Sequence, residues 1–173
     1  QTEADPPPAV EEKADEGEAK LDAKAQAAEE ERIASRTTEE LTVALKEQID
    51  QGLIEVEQRE GKVFVTVGSG GAFPSGTADL TEEAQRIIDR IALSAMSPDR
   101  SIKVTGHTDN VPLVFGSKYR DNWDLAAARA SSVVQNLQAT NVIDSKRLIA
   151  TSKGETQPVA SNNTRNGRSK NRR

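Results

Sequence analysis

The chain contains no cysteine, one histidine, one tryptophan, one tyrosine and three phenylalanines among its 173 residues. Without cysteine there is no disulfide framework, no thiolate nucleophile and no cysteine metal site. A single histidine, His107, excludes a multi-histidine metal centre. No run of eighteen apolar residues occurs, so no segment reads as a membrane-spanning helix. Aromatic residues are too few to stack bases, and a net charge of -5 opposes a phosphate polymer, so nucleic acid is not the expected partner. The chain opens at Gln1 with no basic segment leading into an apolar one, and it reads as an excised soluble fragment.

What is present is unevenly distributed. Residues 1–36 hold eleven acids against five bases, whereas Ser161 to Arg173 holds five bases and no acid. The first segment has almost no large apolar side chain and cannot offset the entropy of ordering by burial. It is therefore expected to be a disordered linker or a lone solvated helix, stiffened at its start by Pro6, Pro7 and Pro8. A folded domain is expected over residues 37–173. Thr37 or Thr38 can cap a helix carrying Leu41, Ala44, Leu45 and Ile49 at helical spacing, stopped by Gly52. LIEVEQ and KVFVTV alternate as two strands of a hairpin turned at Gly61. The stretch from Gly68 to Leu80 is glycine-rich, but it lacks a GxxxxGK pattern and reads as a loop rather than a phosphate cradle. Thr81 caps a helix with Ala84, Ile87, Ile88, Ile91, Ala92 and Ala95 on one side, ended by Ser97 and Pro98.

The most informative stretch runs from Val104 to Arg129. Ile102 and Val104 alternate with polar neighbours as a strand, which Gly106 breaks. A helix starts at Asn122, with Asn122 as cap and Asp124 in its first turn. Its apolar stripe is Ala126, Ala130, Val133, Val134 and Leu137, and Arg129 falls on the stripe's border. Asp109, just past the strand, suits an ammonium or amide donor, and the planar head of Arg129 suits a carboxylate or phosphate. The spacing alone also allows the two to pair with each other or to face solvent. Asp144 begins a turn into a strand at Leu148 to Ser152, ended by Gly154. The alternating strands and one-sided helices define an α/β class, a mixed sheet with helices packed on one face.

The strings TGHTDN and NWDLAAARASSVV resemble the signature of the OmpA-like peptidoglycan-binding domain. GGAFPSGTADLTEEAQRIIDRIA, from Gly70 to Ala92, is similar more specifically to the periplasmic part of flagellar stator B subunits, the MotB and PomB family. The resemblance implies a non-catalytic anchor in which Asp109, following Thr108, and Arg129 hold the diaminopimelate of a peptidoglycan stem peptide. It places Asn122 and Leu125 on the same edge and Phe73 and Ser75 along the groove. It further implies a homodimer, partnered with a stator A subunit (MotA or PomA) through a membrane part outside this sequence. The insertion NVPLVFGSKYRD agrees with it, as does NNTRNGRSKNRR, which resembles the family's closing helix before a final strand that this sequence lacks. The usual serine after leucine is here Ala126. Phe73 can equally plug the core.

Enzyme chemistry is thinly represented. His107, Thr108 and Asp109 are neighbours at a strand end, where adjacent side chains diverge, and no GxSxG elbow occurs. His107 reads as a packing or hydrogen-bonding residue. No cofactor pattern is present. A protein-interaction module is the alternative class, but residues 10 to 36 lack the sustained apolar heptads that would zip two copies together.

Overall fold

The computed structural model describes residues 11–95 and 100–173. The triple proline and the helix stop at Ser97 and Pro98 lie outside them. Helix α1 (Glu11–Ala44) is continuous for 34 residues. From residue 20 to residue 32 every position is exposed, as a solvated helix requires, and burial begins with Ala34, Leu41 and Leu45. The expected start at Thr37 is not a helix start. The helix already arrives from upstream, so the Thr37 and Thr38 hydroxyls donate back to the carbonyls of Ile33 and Ala34 at 2.9 and 2.8 Å instead of capping.

A short α2 (Lys46–Asp50) ends where Gly52 adopts φ +70°. Strands β1 (Ile54–Arg59) and β2 (Lys62–Val67) pair antiparallel, with Arg59 opposite Lys62. The two-residue turn between them holds Glu60 and Gly61 at φ 50° and 68°, the left-handed pair that matches strand twist. Leu41, Leu45, Ile54 and Ile87 form the core beneath this hairpin. Two polar clamps fix α1 to it: Gln58 Nε2 donates to Glu31 Oε1 at 2.6 Å, and Arg100 reaches both Glu30 O and Gly61 O at 2.9 Å.

The glycine-rich loop contains one helical turn, α3 (Ser69–Ala72). Helix α4 (Glu82–Ser94) follows, with the Thr81 hydroxyl accepting from Ala84 N at 3.2 Å as its cap. Strand β3 (Ile102–His107) and strand β4 (Leu148–Gly154) are parallel, in register from Ile102 opposite Leu148, and α5 (Asn122–Ala139) crosses between them. Ile88, Ala92, Leu137 and Ile143 seal this βαβ unit against α4. Asp144 caps the turn Ser145–Arg147 that feeds β4, and α6 (Arg165–Asn171) closes the described chain.

The class is thus α/β with helices packed on the strands, but the strands form two separate two-stranded ladders rather than one joined sheet. On the edge of β3 away from β4, the pairing that would widen the sheet is represented by one residue. Arg173 and His107 exchange both backbone hydrogen bonds, at 2.9 and 3.3 Å. Gly106 does not break β3, which continues to His107. A Cβ at Gly106 would lie 2.2 Å from Ala126 O, so glycine is there to let strand and helix backbones touch.

Gly106→Ala is expected to destabilise the domain by about 2 kcal/mol or more in urea unfolding, because backbone must move. Gly70→Ala, where nothing lies within 4 Å of the new Cβ, is expected to stay within about 0.5 kcal/mol.

Candidate functional site

Contact between β3 and α5 brings the residues following the strand against the first two turns of the helix. The helix cap is Asp121, whose carboxylate accepts from Asp124 N at 2.8 Å. Asn122, expected as the cap, is instead the first helical residue. Its buried side-chain amide is drawn into tertiary contacts, donating to Asp109 O at 3.2 Å, Val111 O at 3.1 Å and Glu155 Oε2 at 2.6 Å. It thereby ties the loop after β3 to the loop after β4.

Asp109 is 8% exposed, and both carboxylate oxygens are engaged. Oδ1 accepts from Val111 N at 3.1 Å and Oδ2 accepts from Arg172 Nη1 at 2.6 Å. The partner is therefore Arg172, at the end of α6, and not Arg129. Arg129 is 7% exposed. Its Nε donates to Thr77 O at 2.8 Å and its guanidinium carbon stands 5.0 Å from the centre of the Phe73 ring. Phe73 is thus a platform for an arginine as well as half-buried packing. Among the described residues, no acceptor lies on the two Nη nitrogens of Arg129. Burial, and then the like charge of Arg172, lower the Arg129 pKa, while Tyr119 and Asp109 act in the opposite direction. The cluster holds two guanidinium groups against the one carboxylate of Asp109.

The other expected residues are placed differently. Thr108 is 4% exposed; its backbone N donates to Gly154 O at 2.9 Å, and its hydroxyl is buried with no partner among the described residues. Leu125 is a buried residue of the first turns of α5. Ser75 stays exposed on the turn that Thr77 closes onto Pro74 O, and it makes no hydrogen bond to the cluster. Arg172 and Glu155 escaped the sequence reading, although the acid-free run from Ser161 to Arg173, ending Asn-Arg-Arg, was a signal for the first. Asn171 fixes that end of the chain. It is fully buried, accepts from Val159 N and Ala160 N, and donates to Ala160 O and Asn162 Oδ1 at 2.8 Å each. No group of three His, Asp or Glu side chains among the described residues is arranged to hold a metal.

The sequence and the fold have known counterparts. The OmpA family model matches residues 72–172, so the chain belongs to the OmpA family. Within it, the chain is similar to Motility protein B of Bacillus subtilis, 36% identical over 121 residues, which are 69% of this chain and 46% of that protein. Its fold matches a MotB-like protein from Desulfovibrio vulgaris with a TM-score of 0.76 at 25% identity, covering 85% of this chain and 91% of that one. It also matches the cell wall anchor of the type VI secretion system from Pseudomonas aeruginosa, with a TM-score of 0.68 at 33% identity over 76% and 91% of the two chains. The chain spans about half the length of the curated motility proteins it resembles.

His107, beside the cluster, has its pKa lowered to about 4 by burial first and then by Arg173 and Lys153. The folded value lies below the unfolded one, so the unfolded chain takes up the proton first. The His107 contribution is whole above about pH 6.5 and is lost as pH falls toward 4. The residue is only partly buried, so solvent screening reduces the effect to on the order of 1 kcal/mol. Urea titrations of the parent and His107→Gln at pH 7 and pH 4.5 are expected to show a smaller acid loss in the variant.

Proposed function

We propose that this domain is a non-catalytic peptidoglycan anchor of a flagellar stator B subunit, and that Asp109 and Arg129 hold the diaminopimelate residue of a stem peptide. The observation that carries the reading is a buried carboxylate set beside two guanidinium groups, at the end of β3 and α5, in an OmpA-family chain. An acceptor-only Asp109 suits the ligand's ammonium, and the Arg129 fork suits its carboxylate. Among the described residues, His107 Nδ1 and Thr108 Oγ1 have no hydrogen-bond partner, and no pairing of a nucleophile with a base supports a hydrolase reading there.

One such site binds one stem peptide weakly. Holding power comes from a second site tethered to the same wall, which a homodimer supplies through its high effective concentration. The solvated part of α1 would carry the connection toward a membrane part and the stator A subunit. At 1.5 Å per residue, the exposed stretch from 20 to 32 spans about 20 Å. No helix among the described residues is long and apolar enough to cross a membrane. Similarity to periplasmic domains of relatives named for motility supports the periplasm as the working compartment. Similarity to the Pseudomonas wall anchor supports a second reading, a wall-tethering module outside the motor.

The fragment is expected to co-sediment with purified peptidoglycan, and Asp109→Ala and Arg129→Ala, folded by circular dichroism, are expected to bind at least tenfold more weakly. Unchanged sedimentation of both folded variants would overturn the assignment. Grafted onto the membrane part of a B. subtilis motility protein B, the domain restores swimming if it is a stator anchor. Retained wall binding without swimming supports the tethering module.

A further inference from the structure

We propose that the face of the β3 and β4 ladder turned away from α5 carries a second site, an anion site for a phosphate group, formed by Lys153 and Arg173 with the His107 ring between them. It lies across the ladder from α5 and Arg129, and it stands independently of the wall-peptide reading.

The topology brings these side chains together. Ile102 and Val104 pack into the core, and Gly106 lies against Ala126, so Lys103, Thr105 and His107 alternate onto the opposite face. On β4, the Ser152 hydroxyl donates to Trp123 O, and a Cβ at Gly154 would meet the Trp123 ring at 3.1 Å. Thr151 and Lys153 therefore turn to the side away from the helix, where the Thr151 and Thr105 hydroxyls stand 3.1 Å apart. Arg173 is directly opposite His107, the two exchanging both backbone hydrogen bonds, and residues paired in this way carry their side chains on one face. Lys153, His107 and Arg173 thus form a row across three adjacent chain segments, about 10 Å from end to end at the backbone. The helices that pack on this ladder, α4 and α5, lie on its other side.

The charge on this face is of one sign. Its ionisable side chains are Lys103, His107, Lys153 and Arg173, in a chain whose net charge is -5. Among the described residues, Lys103, Lys153 and Arg173 form no ion pair. The carboxylates that follow the two strands, Asp109 and Glu155, are engaged by Arg172 and Asn122. Arg173 Nη2 donates to Gln157 O at 3.1 Å, which steadies the guanidinium and leaves it further N–H donors. Both flanking charges reach the ring, because after burial it is Arg173 and Lys153 that hold the His107 pKa down to about 4. An anion bound across the row reverses that field, pairing with the two cations and favouring a proton on His107. A phosphate group suits the row better than a carboxylate does. It brings three acceptor oxygens and close to two negative charges, enough to engage both ends at once.

His107 is the only histidine, so its ring resonances report on this site without ambiguity. The test is an NMR pH titration of that ring with and without saturating pyrophosphate, against sodium chloride of equal ionic strength. Pyrophosphate is expected to raise the His107 pKa by about one unit more than chloride does. In Lys153→Gln and Arg173→Gln, folded by circular dichroism, that rise is expected to fall by at least half, whereas Lys20→Gln on the exposed stretch of α1 keeps it. The same phosphate chemistry has two sources, a soluble phosphate and a lipid headgroup, which co-sedimentation with phosphatidic acid and phosphatidylcholine vesicles separates. Vesicle binding that Lys153→Gln abolishes assigns the headgroup, and a pyrophosphate response without vesicle binding assigns a soluble phosphate. A rise no greater than that in chloride, or one as large in folded Lys153→Gln as in the parent, would overturn the inference.

Discussion

Backbone contact between β3 and α5 at Gly106 is the constraint on which the site depends. With no side chain at that position, the helix lies directly on the strand, Ala126 O against Gly106. The two backbones that carry Asp109, past the end of the strand, and Arg129, within the helix, are thereby in direct contact. Main-chain contacts cannot relax by rotamer change, so the strand and helix backbones keep a fixed spacing. Asn122 extends the same logic outward by pinning the loops after β3 and β4 to the helix start.

Electrostatics completes what packing begins. Each charge in the cluster has partners: Asp109 has Arg172 and a backbone N–H, and Arg129 has Thr77 O and the face of Phe73. The cluster holds two guanidinium groups against the carboxylate of Asp109, and among the described residues no acceptor lies on the Nη nitrogens of Arg129, which supports the proposed site. The solvated stretch of α1 from residue 20 to residue 32 stands apart from the core, and Gln58 and Arg100 mark where the helix meets the hairpin.

Much of this was legible in the residues because it is local. The hairpin at Gly61, the Thr81 cap, the apolar stripe of α4 and the βαβ order all follow from spacings of a few residues. The failures have a common cause, which is tertiary competition for a group that local rules assign elsewhere. Asn122 has the chemistry of a cap, but three distant acceptors claim its amide and Asp121 takes the role. Thr37 and Thr38 are good caps with nothing to cap, because the helix comes from upstream. Gly106 resembles a strand breaker in one dimension and is a close contact in three. The pairing of Asp109 with Arg172 joins residues 63 apart, which no periodicity reveals, whereas the place of Arg129 on the border of the apolar stripe follows from helical spacing.

The central proposal is that Asp109, with its partner Arg172, and Arg129 form the site that contacts a wall peptide. It is tested most directly by an NMR titration of the arginine Nε–H resonances with a soluble muropeptide containing diaminopimelate. Saturable shifts of Arg129 and Arg172, with Arg32 and Arg36 on the exposed side of α1 unmoved, are the expected result. Unmoved Arg129 and Arg172 resonances at a muropeptide concentration that binds the domain would place the wall contact elsewhere and contradict the account.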